Sequence, residues 1–492
     1  MPASSISVRD ILLEQTERTR QSSKADIERL IEESKLKIAS LESQISTLVQ
    51  LRDRESACVA ALRHLISPIS TLPAELLVEI FVLAVHYNTH IMDAFRISQV
   101  CSHWRRVAHS TPRLWTGRIW VDDFFDWADD LECAEAEQVY ADGLKDWLAR
   151  SAPLSVSLLF SSELPIISSR VSEEIMGIAA RWRSLILIGA PTASAVWRLS
   201  ECRLDGLEEL SLPTLQEDTD IHSSTIISFS AVPRLRKLGI SIFSNAPQIQ
   251  MPWSQLVELK LNCDLPDVAL DILAQCTNLV KATTGTPGWS VHPEASRDIV
   301  ALSRLRTLSL DFHEEGYFTP FLHYISAPAL EKLHLDFDDD MEWVEAHLTA
   351  FQLRAPNITQ LELNYSGLTS DDLTAVIRLA PSLTHLHLSF CNHCIDDALI
   401  DALRYREGAK PLVPRIHTLV LENWVQNFTE DNLASMIASR WWTDAEVASY
   451  STPPTVSRWT RVKLSLNAFS AHFKDTIEVL RSKGLPLELS DD

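Results

Sequence analysis

Glycine is scarce, with 12 among 492 residues, and the first is Gly117. The opening quarter of the chain therefore lacks the usual punctuation of tight turns. Basic residues are also short: 44 Lys and Arg face 66 Asp and Glu, for a formal charge of −22. A phosphate-binding surface wants a basic face, so nucleic acid is a poor first partner. Long apolar runs are missing as well. The most apolar stretch, Leu76 to Val85, contains Glu79 and is half the length of a membrane span of about 20 residues. No membrane association is expected. The N-terminus lacks the apolar core of a secretory signal, and the eight cysteines are mostly scattered. Reduced thiols and a cytoplasmic and/or nuclear location are the expectation. No G-x-S-x-G, H-E-x-x-H, phosphate loop or G-x-G-x-x-G is present. No catalytic residue and no cofactor are expected.

What is present begins with a heptad seam. Ile31, Ile38, Ile45, Val59 and Ile66 recur at sevens with Arg52 in the gap. Ile27, Ser34, Leu41, Leu48, Glu55 and Leu62 form the companion d series. Ile at a with Leu at d favours a parallel two-stranded coil, which would make residues 27–66 a homodimer interface. An amphipathic helix folded back on its own domain gives the same stripe. Arg52 and Glu55 interrupt the seam.

Residues 68–115 read PISTLPAELLVEIFVLAVHYNTHIMDAFRISQVCSHWRRVAHSTPRLW. Pro73 and Glu75 suit the first turn of a helix that carries Leu76, Leu77, Ile80, Phe81 and Ala84. A second helix is expected to carry Ile97, Val100, Cys101, Trp104, Val107 and Ala108, with Pro112 ending it before Leu114 and Trp115. So small a module leaves apolar surface uncovered and wants a partner. The combination LPAELLVEIF with VCSHWRRVAHSTPRLW resembles the F-box, particularly F-box-like proteins of fungal type. The resemblance covers about a tenth of the chain, and the 86–93 connection lacks an Asp-Pro-like turn. It implies docking to a Skp-type adaptor and, through it, a cullin. Leu72, Pro73, Leu76, Leu77, Ile80, Phe81, Val100, Cys101, Trp104, Leu114 and Trp115 would supply the adaptor contacts together with the module's own core.

From Trp182 onward a phrase recurs: apolar-x-x-apolar-x-apolar. It stands as LEELSL at Leu207, LRKLGI at Leu235, LVELKL at Leu256, LRTLSL at Leu305, LEKLHL at Leu330, ITQLEL at Ile358, LTHLHL at Leu383 and IHTLVL at Ile416. Weaker copies begin at Trp182, Leu279 and Trp459. Eight of the ten intervals fall within the 20–29 residues of a leucine-rich repeat; the last two, 33 and 43, imply insertions. Half of the phrase alternates as a strand, and stretches such as DVALDILAQC and SDDLTAVIRLA read as returning helices. One unit cannot bury its own face, so the units must stack. The array resembles the leucine-rich repeats that follow many F-boxes. Stacking would align Asn262, Asp311, Asp336, Asn364, Ser389 and Glu422 in one polar column, and Lys260, Ser309, His334, Glu362 and His387 in the next. Within these, Asn262, Asp311, His334, Asp336, Glu362, Asn364, His387 and Ser389 are the candidates for holding a target protein.

Cys391 and Cys394, with His385, His387 and His393 nearby, invite a zinc reading. Cys391 however occupies the place where Asn or Cys turns the chain off the strand, and no second pair completes four ligands. No metal site is expected. The acidic runs near Asp122 and Asp336 lack the spacing of a calcium loop and read as solvated helix starts.

The whole reads as an α/β chain: a helical, coiled-coil segment at 1–67, an F-box three-helix module at 68–116, a connecting and capping region at 117–181, and a leucine-rich-repeat solenoid at 182–492. The function this implies is the non-catalytic substrate-recognition subunit of an SCF-type cullin ubiquitin ligase. The alternative is a repeat scaffold for protein assembly outside any ligase.

Overall fold

The recurring phrase sets the architecture of most of the chain, because alternating side chains bury one face of a strand and leave the other free. The computed structural model describes residue 13 and residues 24–85, 90–121, 130–160, 169–215, 226–244, 247–289, 297–313, 319–337, 345–391, 393–408, 410–423, 427–449, 454–465 and 469–490. The 86–89 connection and most of the two acidic runs, at 122–129 and 338–344, lie outside these residues. The chain divides into two units, Met1–Leu83 and Ala84–Asp492.

In the first unit, α1 spans Lys24–Ile66, a 43-residue helix without glycine or proline. A 3-10 turn, Pro68–Thr71, follows. The next helix, α2, spans Ala74–Ala84. Its first amides, at Leu76 and Leu77, donate to the Pro73 carbonyl at 3.1 Å. Proline can stand there because it is asked only to accept.

In the second unit, α3 (His90–Gln99) and α4 (Ser102–His109) replace the single helix expected over 97–108. The break falls at Val100 and Cys101. Cys101 is extended (φ −159°, ψ 171°), and its Sγ accepts the Trp104 amide at 3.4 Å, capping α4. Apolar spacing alone runs through such a break, since one extended residue barely disturbs the period. Trp115, wholly buried in the 3-10 turn Pro112–Trp115, ties these helices to α5 (Asp130–Ser151). Its indole donates to the Ala108 carbonyl at 2.8 Å, its ring meets Trp147 edge-on at 4.8 Å, and the Arg150 guanidinium lies 4.9 Å from the ring centre.

Fourteen strands then form one sheet whose spatial order is chain order, every pairing parallel. They are β1 (Ile119–Val121), β2 (Val156–Phe160), β3 (Trp182–Leu187), β4 (Glu209–Leu212), β5 (Lys237–Ile242), β6 (Glu258–Cys263) and β7 (Lys281–Thr286). The series continues with β8 (Thr307–Phe312), β9 (Lys332–Phe337), β10 (Gln360–Asn364), β11 (His385–Ser389), β12 (Thr418–Glu422), β13 (Arg461–Ser465) and β14 (Leu487–Ser490). All eleven copies of the phrase, weak ones included, carry a strand. Two strands precede Trp182 and one follows the last copy; IWV, VSLLF and LELS are too short to show the period without the leading apolar residue.

The leading residue of each copy, from Leu207 to Trp459, is buried, as are the alternating leucines of the strands. Returning helices cover them. Pro266–Gln275 buries Ala269, Leu270 and Leu273, and Ser370–Arg378 buries Leu373, Val376 and Ile377. A capping box between Thr369 and Asp372 starts the latter. One position departs from the pattern. Thr284, between Leu261 and Leu310 in register, is fully buried, and its Oγ1 has no hydrogen-bond partner.

Candidate functional site

Two groups of residues were singled out by sequence. In α2 the apolar positions split by face. Leu77 and Phe81, four apart, are buried, whereas Leu76 is 52 %, Ile80 39 % and Leu83 84 % exposed. Helical spacing puts 76, 80 and 83 on one side, so α2 is apolar on both sides. Among the other candidates, Leu114 and Trp115 are buried; Pro73 and Val100 are exposed; Leu72, Cys101 and Trp104 are half-buried. Leu77, Phe81, Leu114 and Trp115 are thus buried and offer a partner no surface. Cys101 caps a helix. Leu83 was missed, because a Leu-rich helix gives no sequence signal for which side stays open.

The strand columns fall where the spacing placed them. Parallel register aligns Asn262, Gly285, Asp311, Asp336, Asn364, Ser389 and Glu422. The next column is Lys260, Thr283, Ser309, His334, Glu362, His387, Val420 and Lys463. Gly285, Thr283 and Lys463 come from the weak copies and were not foreseen. At Gly285 a Cβ would lie 2.7 Å from Asn262 Oδ1, so a larger residue there would push the exposed Asn262 side chain aside. Ser389 stands in its column but is only 7 % exposed, which removes it as an exposed contact.

The second column is an ionic ladder. Glu362 accepts from His334 Nδ1 through Oε2 and from His387 Nδ1 through Oε1, both at 3.0 Å. His387 Nε2 reaches Glu422 Oε2 at 3.1 Å, and Lys463 Nζ completes the series on Glu422 Oε1. Carboxylates on both ring nitrogens of His387 favour its protonated form. Hydrogen bonding to Glu362 raises both histidines above the ordinary imidazole range, against the opposing pull of burial. The same bonds, His334 first and His387 second, hold the Glu362 carboxyl far below the carboxylate range. Alongside, Asn364 Nδ2 donates to Asp336 Oδ2 at 3.2 Å, while Asn364 Oδ1 is buried without a partner. Tyr365 and Phe390, one residue past their strands, stack at 4.3 Å with positive φ of 48° and 52°.

Cys391 and Cys394 are buried. Cys391 Sγ lies 3.3 Å from the Leu363 and Ser389 carbonyls, and Cys394 Sγ lies 3.5 Å from the Cys391 carbonyl. His387 is turned to the carboxylates and His385 Nδ1 to the Thr384 hydroxyl. Among the described residues no cluster of three or more His, Cys, Asp or Glu could hold a metal ion. Among them, too, no helix is long and apolar enough to cross a membrane.

An F-box-like family model matches residues 69–118, about a tenth of the chain. No curated protein matches the sequence. F-box domains in general bind Skp-type adaptors within cullin complexes, and proteins that carry them are generally non-catalytic, substrate-recognising subunits.

Proposed function

We propose that this chain is the substrate-recognition subunit of an SCF-type cullin ubiquitin ligase. The F-box at 68–116 docks on a Skp-type adaptor, and a leucine-rich-repeat solenoid at 182–492 holds a target protein. The reading rests on one observation above the rest: α2 keeps Leu76, Ile80 and Leu83 in water while its second apolar side, Leu77 and Phe81, is buried. Apolar side chains at helical spacing, left exposed, are the signature of a groove-binding helix. The role is positional. Holding the target near a ubiquitin-charged enzyme raises the effective concentration of its lysines, with no catalytic group from this chain. The strand columns supply the target surface through Asn262, Asp311, His334, Asp336, Glu362, Asn364 and His387. The long helix α1 pairs two copies through residues 27–66.

The test is capture of the full chain by purified adaptor. Leu76→Asp with Ile80→Asp, both on the exposed side, is expected to abolish capture and leave circular dichroism and thermal unfolding unchanged. Undiminished capture by this variant ends the docking proposal. Failure of the unaltered chain to bind leaves a repeat scaffold outside any ligase.

A further inference from the structure

Helix α1 is about 65 Å long at 1.5 Å per residue over its 43 residues. Every large apolar residue on its heptad seam is exposed, from Ile27 at 36 % to Ile66 at 82 %. Such a stripe needs a cover, and the two charged residues within it say which. We infer that α1 pairs with α1 of a second copy in an antiparallel coil whose two-fold axis passes between Arg52 and Glu55. This rests on the pairing proposed above and adds its direction and register.

In an antiparallel coil, a positions of one helix face d positions of the other. Of the registers that keep this rule, the one in which facing numbers sum to 107 sets Arg52 (a) against Glu55 (d) of the second copy, twice by symmetry. The same register sets Ile45 against Leu62, Leu48 against Val59 and Leu41 against Ile66. Each interruption of the seam becomes the other's counterion, and all the other layers are apolar. Flanking positions bring Glu42 toward Arg63 of the second copy, and Val49 and Leu51 widen the apolar strip around the central ion pairs. A parallel in-register coil covers Ile27, Ile31 and Ile38 as well. It stacks Arg52 on Arg52 and Glu55 on Glu55 in consecutive layers, where like charges repel most.

The charges along α1 divide at the same place. Upstream of 41 they are matched within the helix: Lys24 with Glu28 at 3.9 Å, Arg29 with Asp26 at 3.1 Å, Lys35 with Glu32 and Lys37 with Glu33 at 2.8 Å. Downstream, Arg52 meets only its sequence neighbour Asp53, at 2.6 Å, among the described residues. Glu42, Glu55 and Arg63 have no ion pair among those residues. The charges without an ion pair among the described residues, Glu42, Arg54, Glu55 and Arg63, all fall in the paired stretch 41–66, where Arg52 would exchange its neighbour Asp53 for Glu55 of the second copy.

Two measurements on the full chain test this. Sedimentation is expected to show a dimer that Arg52→Glu alone or Glu55→Arg alone dissociates, and that the double exchange restores by reversing the ion pair. Oxidation of a Cys58→Ser chain carrying Leu48→Cys and Val59→Cys is expected to join residue 48 of one copy to residue 59 of the other. Junctions of 48 with 48 and 59 with 59 overturn the antiparallel register and leave the pairing standing. A monomer overturns both, and so assigns the stripe to a different partner.

Discussion

Single positions show what alternation can and cannot encode. Leu76 and Leu77 are identical by composition and adjacent in sequence, yet one is a surface residue and the other core. Hydropathy marks both as apolar; only the third dimension tells which side is free. Thr284 is the converse, a polar residue where the pattern asks for leucine, with a buried hydroxyl that finds no partner. A buried hydroxyl without a hydrogen bond is costly, and valine has nearly the same shape. Thr284→Val is expected to stabilise the chain by about 1 kcal/mol in urea unfolding. An unchanged or lower midpoint would show that the hydroxyl is satisfied in solution. At Gly285, beside it, an added Cβ would meet Asn262 Oδ1 and displace that exposed side chain.

At the level of elements, the His334–Glu362–His387–Glu422 ladder predicts a pH dependence. The histidines have raised folded-state values, so their contribution is fully present below the unfolded value of about 6.5 and fades as pH rises through the folded values. Glu362 and Glu422 are depressed, so theirs is present above about 4.3 and fades as pH falls through the folded values. Both overlap between about pH 4.5 and 6.5. Glu362→Gln should therefore destabilise most near pH 5.5, by about 1 kcal/mol once screening of a carboxylate with 40 % exposure is allowed for. The loss should shrink by pH 8; a loss independent of pH would mean the histidines stay neutral. This ladder was legible as a column of residue types, because a phrase repeated eleven times fixes register even where single copies are weak. Its end at Lys463 was not, since WTRVKL hides the leading leucine behind tryptophan. Nor was the break between α3 and α4, which rests on Cys101 taking an extended conformation that its neighbours do not announce.

For the molecule as a whole, strand order equal to chain order makes the large sheet nearly one-dimensional: each strand is hydrogen-bonded only to its sequential neighbours. Stability in such an arrangement is a sum of local units and their interfaces. Amide exchange under native conditions is expected to be slowest in β8–β11 and to quicken toward β1 and β14, with openings that begin at the ends. Uniform protection across all fourteen strands would instead indicate a single cooperative block. The sheet itself could be foreseen from the phrase; its first two strands could not, since three to five residues are too few to establish a period.

The same adjacency bears on how the chain can change over generations. The intervals between the last copies of the phrase, 33 and 43 residues, exceed the rest, yet β11, β12 and β13 keep their parallel register. Among the described residues no other strand lies between these neighbours, so a connection can grow, shrink or acquire a new motif while the strands on either side stay in place. Lineages could thus lengthen or replace these connections while leaving the ladder of leucines untouched.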